Sequence, residues 1–220
     1  MYDSIDGILD PEKFSKAKIK ILWILREPSV DDKDKNERID TCQKFREGEH
    51  RVNVSNIPTY RTIIYATYRI FNYGVSWSDI PCAKEESYDV FLQTALININ
   101  KKPGNSSSKP KVIAAAFQMN RNKLINQINE INPEVIIFGG TYELFDNEAF
   151  DEMKLEFSEF SEIDHETKYV SYSITTNGKL LIKGFHPSAI KKNYERSYTK
   201  EISEAVNIWQ KIRNNSPRII

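Results

Sequence analysis

The chain has 220 residues, with 31 basic and 31 acidic side chains, three histidines, two cysteines and 40% hydrophobic residues. That length can bury a substantial core in one domain spanning 1–220, and zero net charge excludes a protein that simply coats nucleic acid by neutralising phosphates. Cys42 and Cys82 are too few for a four-cysteine metal site or a disulfide framework, so neither a metal nor a cofactor is expected. No run approaches 18 consecutive apolar residues, and the opening MYDSIDGILDPEKF carries acids where a secretory leader needs bases. The expectation is a cytoplasmic monomer without a membrane partner.

Short apolar runs alternate with helical patterns along the chain, which predicts an α/β fold. Ile19–Leu25 (IKILWIL) reads as a buried central strand. The charge-dense stretch Asp31–Arg51 reads as a polar helix or a loop. Ile57–Phe71 has a proline at a first helical turn and then Ile63, Ile64, Thr67, Tyr68 and Phe71 at helical spacing. Asp89–Ile99 is a second strand, followed by the breaker-rich loop Lys101–Pro110 (KKPGNSSSKP). Ala114–Ile131 is an amphipathic helix ending before Asn132-Pro133, and Glu134–Phe138 is a third buried strand leading into Gly139-Gly140. Thr141–Phe160 reads as an acidic helix or pair of helices broken near Asp146-Asn147. Tyr169–Ile174 and Lys179–Ile182 flank Asn177-Gly178, a hairpin-turn pair, or else form one strand entered through a turn. A last helix, Tyr198–Arg213, gathers Ile202, Ala205, Val206, Trp209 and Ile212 on one face.

Charge is unevenly spread. Lys101–Lys123 contains six basic residues and no acid, and the segment from Lys179 onward has nine basic residues against three acidic. Glu143–Lys168 has ten acids and two lysines. If the protein binds a strand of nucleic acid, the basic stretches should share a face and the acidic one should turn away.

In an open α/β sheet the carboxyl ends of the strands form a rigid base for ligands. Four strands end informatively here: IKILWIL in Arg26-Glu27-Pro28-Ser29, EVIIF in Gly139-Gly140, LLIKGF in His186-Pro187-Ser188, and DVFLQTALINI with Gln93, Thr94, Asn98 and Asn100 along it. A G-x-S-x-G turn and a GxxxxGK loop are both missing, which disfavours a serine hydrolase and an NTPase.

In this order the chain resembles the uracil-DNA glycosylase superfamily. The similarity rests on Ile24-Leu25-Arg26-Glu27-Pro28, on Asn56-Ile57-Pro58 opening the helix through Tyr65, on Phe91-Leu92-Gln93-Thr94-Ala95-Leu96, on Pro133 to Gly139, and on His186-Pro187-Ser188-Ala189-Ile190. Only the His-Pro-Ser element is specific; the rest matches as pattern. The resemblance implies a three-layer α/β/α sandwich around a central, mostly parallel four-stranded sheet. It also implies hydrolysis of the N-glycosidic bond of a deaminated or damaged base in single- or double-stranded DNA.

Under that resemblance His186 donates a hydrogen bond to the departing base, and Glu27 orients the attacking water. Gln93 reads the base edge, and Ser188 and Gly139 hold phosphates. Ile190 wedges into the stack, Lys191 and Lys192 attract the strand, Pro28 shapes the turn, and Tyr60 or else Trp23 substitutes for a missing stacking aromatic. Glu27 and Gln93 stand where the family usually has Asp and Asn. The rival reading is therefore a non-catalytic nucleic-acid or nucleotide-binding module with the same fold.

Overall fold

The computed structural model describes residues 4–28, 40–102, 109–155 and 165–215. Gly7–Ile8 (β1), Ile21–Leu25 (β2), Ala95–Asn98 (β3), Val135–Gly139 (β4), His165–Glu166 (β5), Val170–Ile174 (β6) and Leu180–Gly184 (β7) form one sheet in the order β1-β3-β2-β4-β7-β6-β5. The sheet thus has seven strands rather than the four expected. The four consecutive strands β3-β2-β4-β7 run parallel, while β1, β6 and β5 add antiparallel edges.

Helices Pro11–Lys16 (α1), Thr41–Arg46 (α2), Pro58–Phe71 (α3), Glu86–Phe91 (α4), Pro110–Ile131 (α5), Asn147–Glu152 (α6) and Glu195–Asn215 (α7) complete the described elements. Strand alternation sorts the core into two layers. Ile21, Trp23 and Leu25 of β2 pack with Ile63, Ile64 and Ile70 of α3 and with Ile202, Val206 and Trp209 of α7. Leu22 and Ile24, pointing to the other face as period-2 geometry requires, meet Phe117, Leu124 and Ile128 of α5 and Phe150 of α6. All five residues of β2 are buried, which is why the strand reads as a continuous apolar run.

Several expectations need correction. The predicted strand Asp89–Ile99 is in fact the end of α4, a turn, and then the short β3. The physical reason is the helical spacing of Tyr88 and Phe91, whose rings both pack on Phe45. This outweighs the strand-like run that follows. The acidic segment resolves into a 3-10 turn at Tyr142–Leu144 and α6, capped by Asp146 through its bond from the Ala149 amide. Ile212, expected on the buried face of the last helix, is 45% exposed. Residues 31–39 of the charge-dense stretch, 103–108 of the breaker-rich loop and 156–164 of the acidic segment lie outside the described residues.

The Asn177-Gly178 turn does join β6 to β7, with Gly178 at φ 80° and the Trp209 indole of α7 donating to its carbonyl at 2.9 Å. Among the described residues no helix is long and apolar enough to cross a membrane.

Candidate functional site

The chain passes from β2 to β3 on one side and then crosses to β4 on the other side of β2. The strand order therefore reverses beside β2, and the loops leaving β2 and β4 diverge there, opening a crevice above their carboxyl ends. Arg26, Glu27 and Pro28 leave β2 at this point, Gly139 closes β4 and Gly140 follows it, and His186 follows β7.

Two glycines allow these turns to touch. A Cβ on Gly139 would stand 2.7 Å from Leu25 Cδ2 and 3.0 Å from Pro187 Cδ. One on Gly140 would stand 3.1 Å from His186 Cβ and 3.3 Å from Arg26 Nη2, and Gly140 also has φ +70°. The missing side chains are what let Arg26 and His186 converge on one point. Arg26 Nε donates to the Gly140 carbonyl at 3.4 Å, the Gly140 amide donates to the Gly184 carbonyl at 2.8 Å, and the buried Thr141 hydroxyl donates to the Ile24 carbonyl at 3.0 Å. These bonds tie the ends of β2, β4 and β7 into one frame.

His186 is half-buried at this frame. The Ser188 amide donates to His186 Nδ1 at 3.3 Å, and the Ser188 hydroxyl lies 2.8 Å from the same nitrogen. Accepting from a backbone N–H requires a lone pair on Nδ1, so the ring proton of the neutral imidazole sits on Nε2. Burial, reinforced by the positive charge of Arg26, pushes the imidazole down to about 4. At neutral pH His186 is an uncharged donor.

A cleft of about 570 Å³ opens at this edge. Arg26, Gly140, His186 and Ser188 line its inner side, and Lys168, Tyr169 and Phe185 lie toward the β5–β6 turn and β7. A space of that size is in the range used for small-ligand sites.

Other predicted site residues lie elsewhere. Glu27 is half-buried on the β3 side, where Asn100 Nδ2 donates to its Oε2 at 3.4 Å; it is adjacent to Arg26 in the chain but does not line the cleft. Pro28 is buried beside it. Gln93 is on the wrong edge: it sits in the turn before β3, with the strand's four residues, about 13 Å, between it and the carboxyl ends. The amides that do reach the carboxyl edge of this strand are Asn98 and Asn100. Asn98 is 1% exposed, its Nδ2 donating to Asp6 at 3.3 Å and its Oδ1 without a partner among the described residues.

Tyr60 cannot stack on a ligand, since it is 3% exposed and packed between Phe45 and His50. Ile190 is 7% exposed and belongs to the core layer containing α3 and α7, so it is no wedge in this conformation. Lys191, Lys192 and Ser188 are exposed.

The charge expectation is also overturned. Lys101 is buried in an ion pair with Asp6 at 2.6 Å, supported by Gln127, and so faces no ligand. Arg121 is held by Glu152, Glu148 and Asp146, and Lys183 by Glu143. The acidic segment therefore neutralises part of the basic stretches it was expected to turn away from.

Sequence reading assigns no role to Arg26, Phe185, Lys168 or Tyr169. The exposed aromatic next to His186 was a usable signal; the contribution of the β5–β6 turn was not, because that hairpin is placed by pairing across the sheet. Cys42, which no reading favoured as a nucleophile, is buried and its thiol is pushed up to about 12 by that burial. Among the described residues no group of three His, Cys, Asp or Glu side chains is placed to hold a metal ion. No family model matches the chain, and no curated protein matches it either.

Proposed function

We propose that the protein hydrolyses the N-glycosidic bond of a deaminated or damaged base in nucleic acid at the carboxyl edge of its parallel strands. The observation that carries this reading is His186: a neutral imidazole, locked by Ser188 with its proton on Nε2, beside a cleft of nucleotide size. A donor of this kind stabilises negative charge where it develops.

In the reaction, water adds to the sugar carbon as its bond to the base nitrogen breaks, and that electron pair leaves with the base. His186 Nε2–H hydrogen-bonds the base oxygen over which the charge spreads. Glu27 orients the water, accepts its proton and passes it to solvent, and its carboxylate favours the cationic character of the sugar. Asn100, half-buried just past the carboxyl end of β3, is better located than Gln93 to meet a base edge.

The binding-only reading is favoured by one specific feature: Glu27 is held by Asn100 and does not share the cleft lining with His186. The test is incubation of the purified protein with oligonucleotides that each hold one modified base, followed by detection of abasic sites. Abasic sites from at least one of them support hydrolysis. Retention of the oligonucleotides without any abasic product supports the binding module instead.

A further inference from the structure

The outer half of the cleft is built for something the reaction above does not need. Phe185 is 55% exposed although its backbone is rigidly held: the fully buried Tyr198 donates its hydroxyl to the Phe185 carbonyl at 2.9 Å, and Gly184 beneath leaves no room for a Cβ against that hydroxyl. Phe185 lines the cleft, so its backbone holds an apolar ring at the edge of a space that a ligand could enter.

Lys168 also lines the cleft, its ammonium 5.3 Å from the Tyr169 ring and 5.7 Å from the Tyr194 ring, so a cation is positioned over two aromatic faces. Neither Arg26 nor Lys168 has a carboxylate partner among the described residues, while the third cation, Lys183, is already held by Glu143. Glu166 is the other acid lining the cleft. Beyond the Pro187–Ala189 turn, Lys191 and Lys192 are exposed and continue the positive charge away from the cleft.

We propose that this outer half is a subsite for the nucleotide next to the reacting one in a single strand, with its base stacked on Phe185 and its phosphate between Arg26 and Lys168. Aromatic faces with basic groups beside them are how single strands are held without sequence preference, because every base has a face to stack and every residue a phosphate. A free nucleotide offers the same ring and phosphate, but it would leave Lys191 and Lys192 without a role; a strand uses them. The inference rests on the carboxyl edge being a nucleic-acid site, as proposed above, and adds a place for the neighbouring nucleotide.

The experiment is a fluorescence-anisotropy titration with labelled tetrathymidylate, competed by unlabelled tetrathymidylate, thymidine monophosphate, thymidine and inorganic phosphate. It uses the wild type, Phe185→Ala and Lys168→Ala, with each variant's fold checked by its thermal transition. Both positions are exposed, so both variants should fold.

The strand should bind at least tenfold more tightly than the monophosphate. Phe185→Ala should weaken strand binding by about 5 to 150-fold, the range of one lost base stack. Lys168→Ala should weaken it and lower its dependence on salt by about one charge. Equal affinity for monophosphate and strand would assign the cleft to a free nucleotide and overturn the strand subsite. Strand binding unchanged in both variants would overturn the subsite while leaving the hydrolysis proposal intact. Cleft-dependent strand binding without base release from any modified oligonucleotide would support the subsite and remove the hydrolysis. Binding of none of the four would overturn both.

Discussion

At the scale of single residues, the site depends on two absent side chains and one proton. Gly139 and Gly140 let the turns after β2, β4 and β7 meet. Gly139→Ala forces a methyl group to within 3.0 Å of Leu25 and Pro187, and overpacking of this kind costs about 1 to 3 kcal/mol. Chemical denaturation should show that loss. Because the intrusion falls on the frame under His186, any ligand affinity should drop more than stability alone explains.

The proton belongs to His186, whose folded-state pKa is depressed to about 4 from an ordinary 6.5, first by burial and then by Arg26. For a histidine shifted downward, the neutral form is favoured by folding, so its contribution to stability is complete above about pH 6.5 and falls away as the pH drops toward 4. A proton-detected NMR titration should give a midpoint near 4 for the His186 ring. Arg26→Met should raise that midpoint only in part, since burial is the larger cause. A midpoint at 6.5 in the wild type would mean that the ring is solvated and partly charged near neutrality, and would remove the burial that holds it uncharged.

At the scale of elements, Ile190 shows how a motif can be legible while its role is not. The residue follows His-Pro-Ser as an apolar side chain, and sequence alone cannot distinguish a wedge aimed at a ligand from a plug aimed at the core. The Pro187–Ala189 turn decides it, because the turn directs the next residue inward toward α3. Ile190→Ala should therefore act as a core truncation, costing about 2 to 5 kcal/mol, with equal effects on duplex and single-stranded binding. A selective loss on duplex would restore the wedge.

The same contrast runs through the fold. α3, α5 and α7 were readable because each is long enough for its apolar period to declare itself, and β2 and β4 because each is an unbroken apolar run between polar residues or turns. β1 and β5, at two residues each, carry no period, and their pairing is set by partners far away in the chain. The short α4 was hidden because Phe91 and Leu92 look strand-like beside β3, and that one misreading carried Gln93 to the wrong end of the sheet.

At the scale of the whole molecule, a neutral chain has used its acidic segment to hold Arg121 and Lys183, and it buries Lys101 against Asp6. Positive charge without a carboxylate partner at the cleft is thereby reduced to Arg26 and Lys168, with exposed Lys191 and Lys192 nearby. Linear charge counts could not foresee this, because ion pairing depends on which surfaces the fold brings together. The site itself was half legible. The strand ends at Arg26, Gly140 and His186 do converge, whereas Lys168 reaches the cleft from the β5–β6 turn, which no local pattern announced.

The central claim is that His186 supplies the charge stabilisation for base release. The most direct test is the single-turnover rate of base release from the modified oligonucleotide that the wild type cleaves fastest, compared between wild type, His186→Ala and Glu27→Gln. The account predicts a fall of about 100 to 1,000-fold for His186→Ala with little change in binding, and for Glu27→Gln a slower rate with binding intact or slightly tighter. Base release at near wild-type rate in both variants, or from no oligonucleotide at all with the wild type, would contradict it.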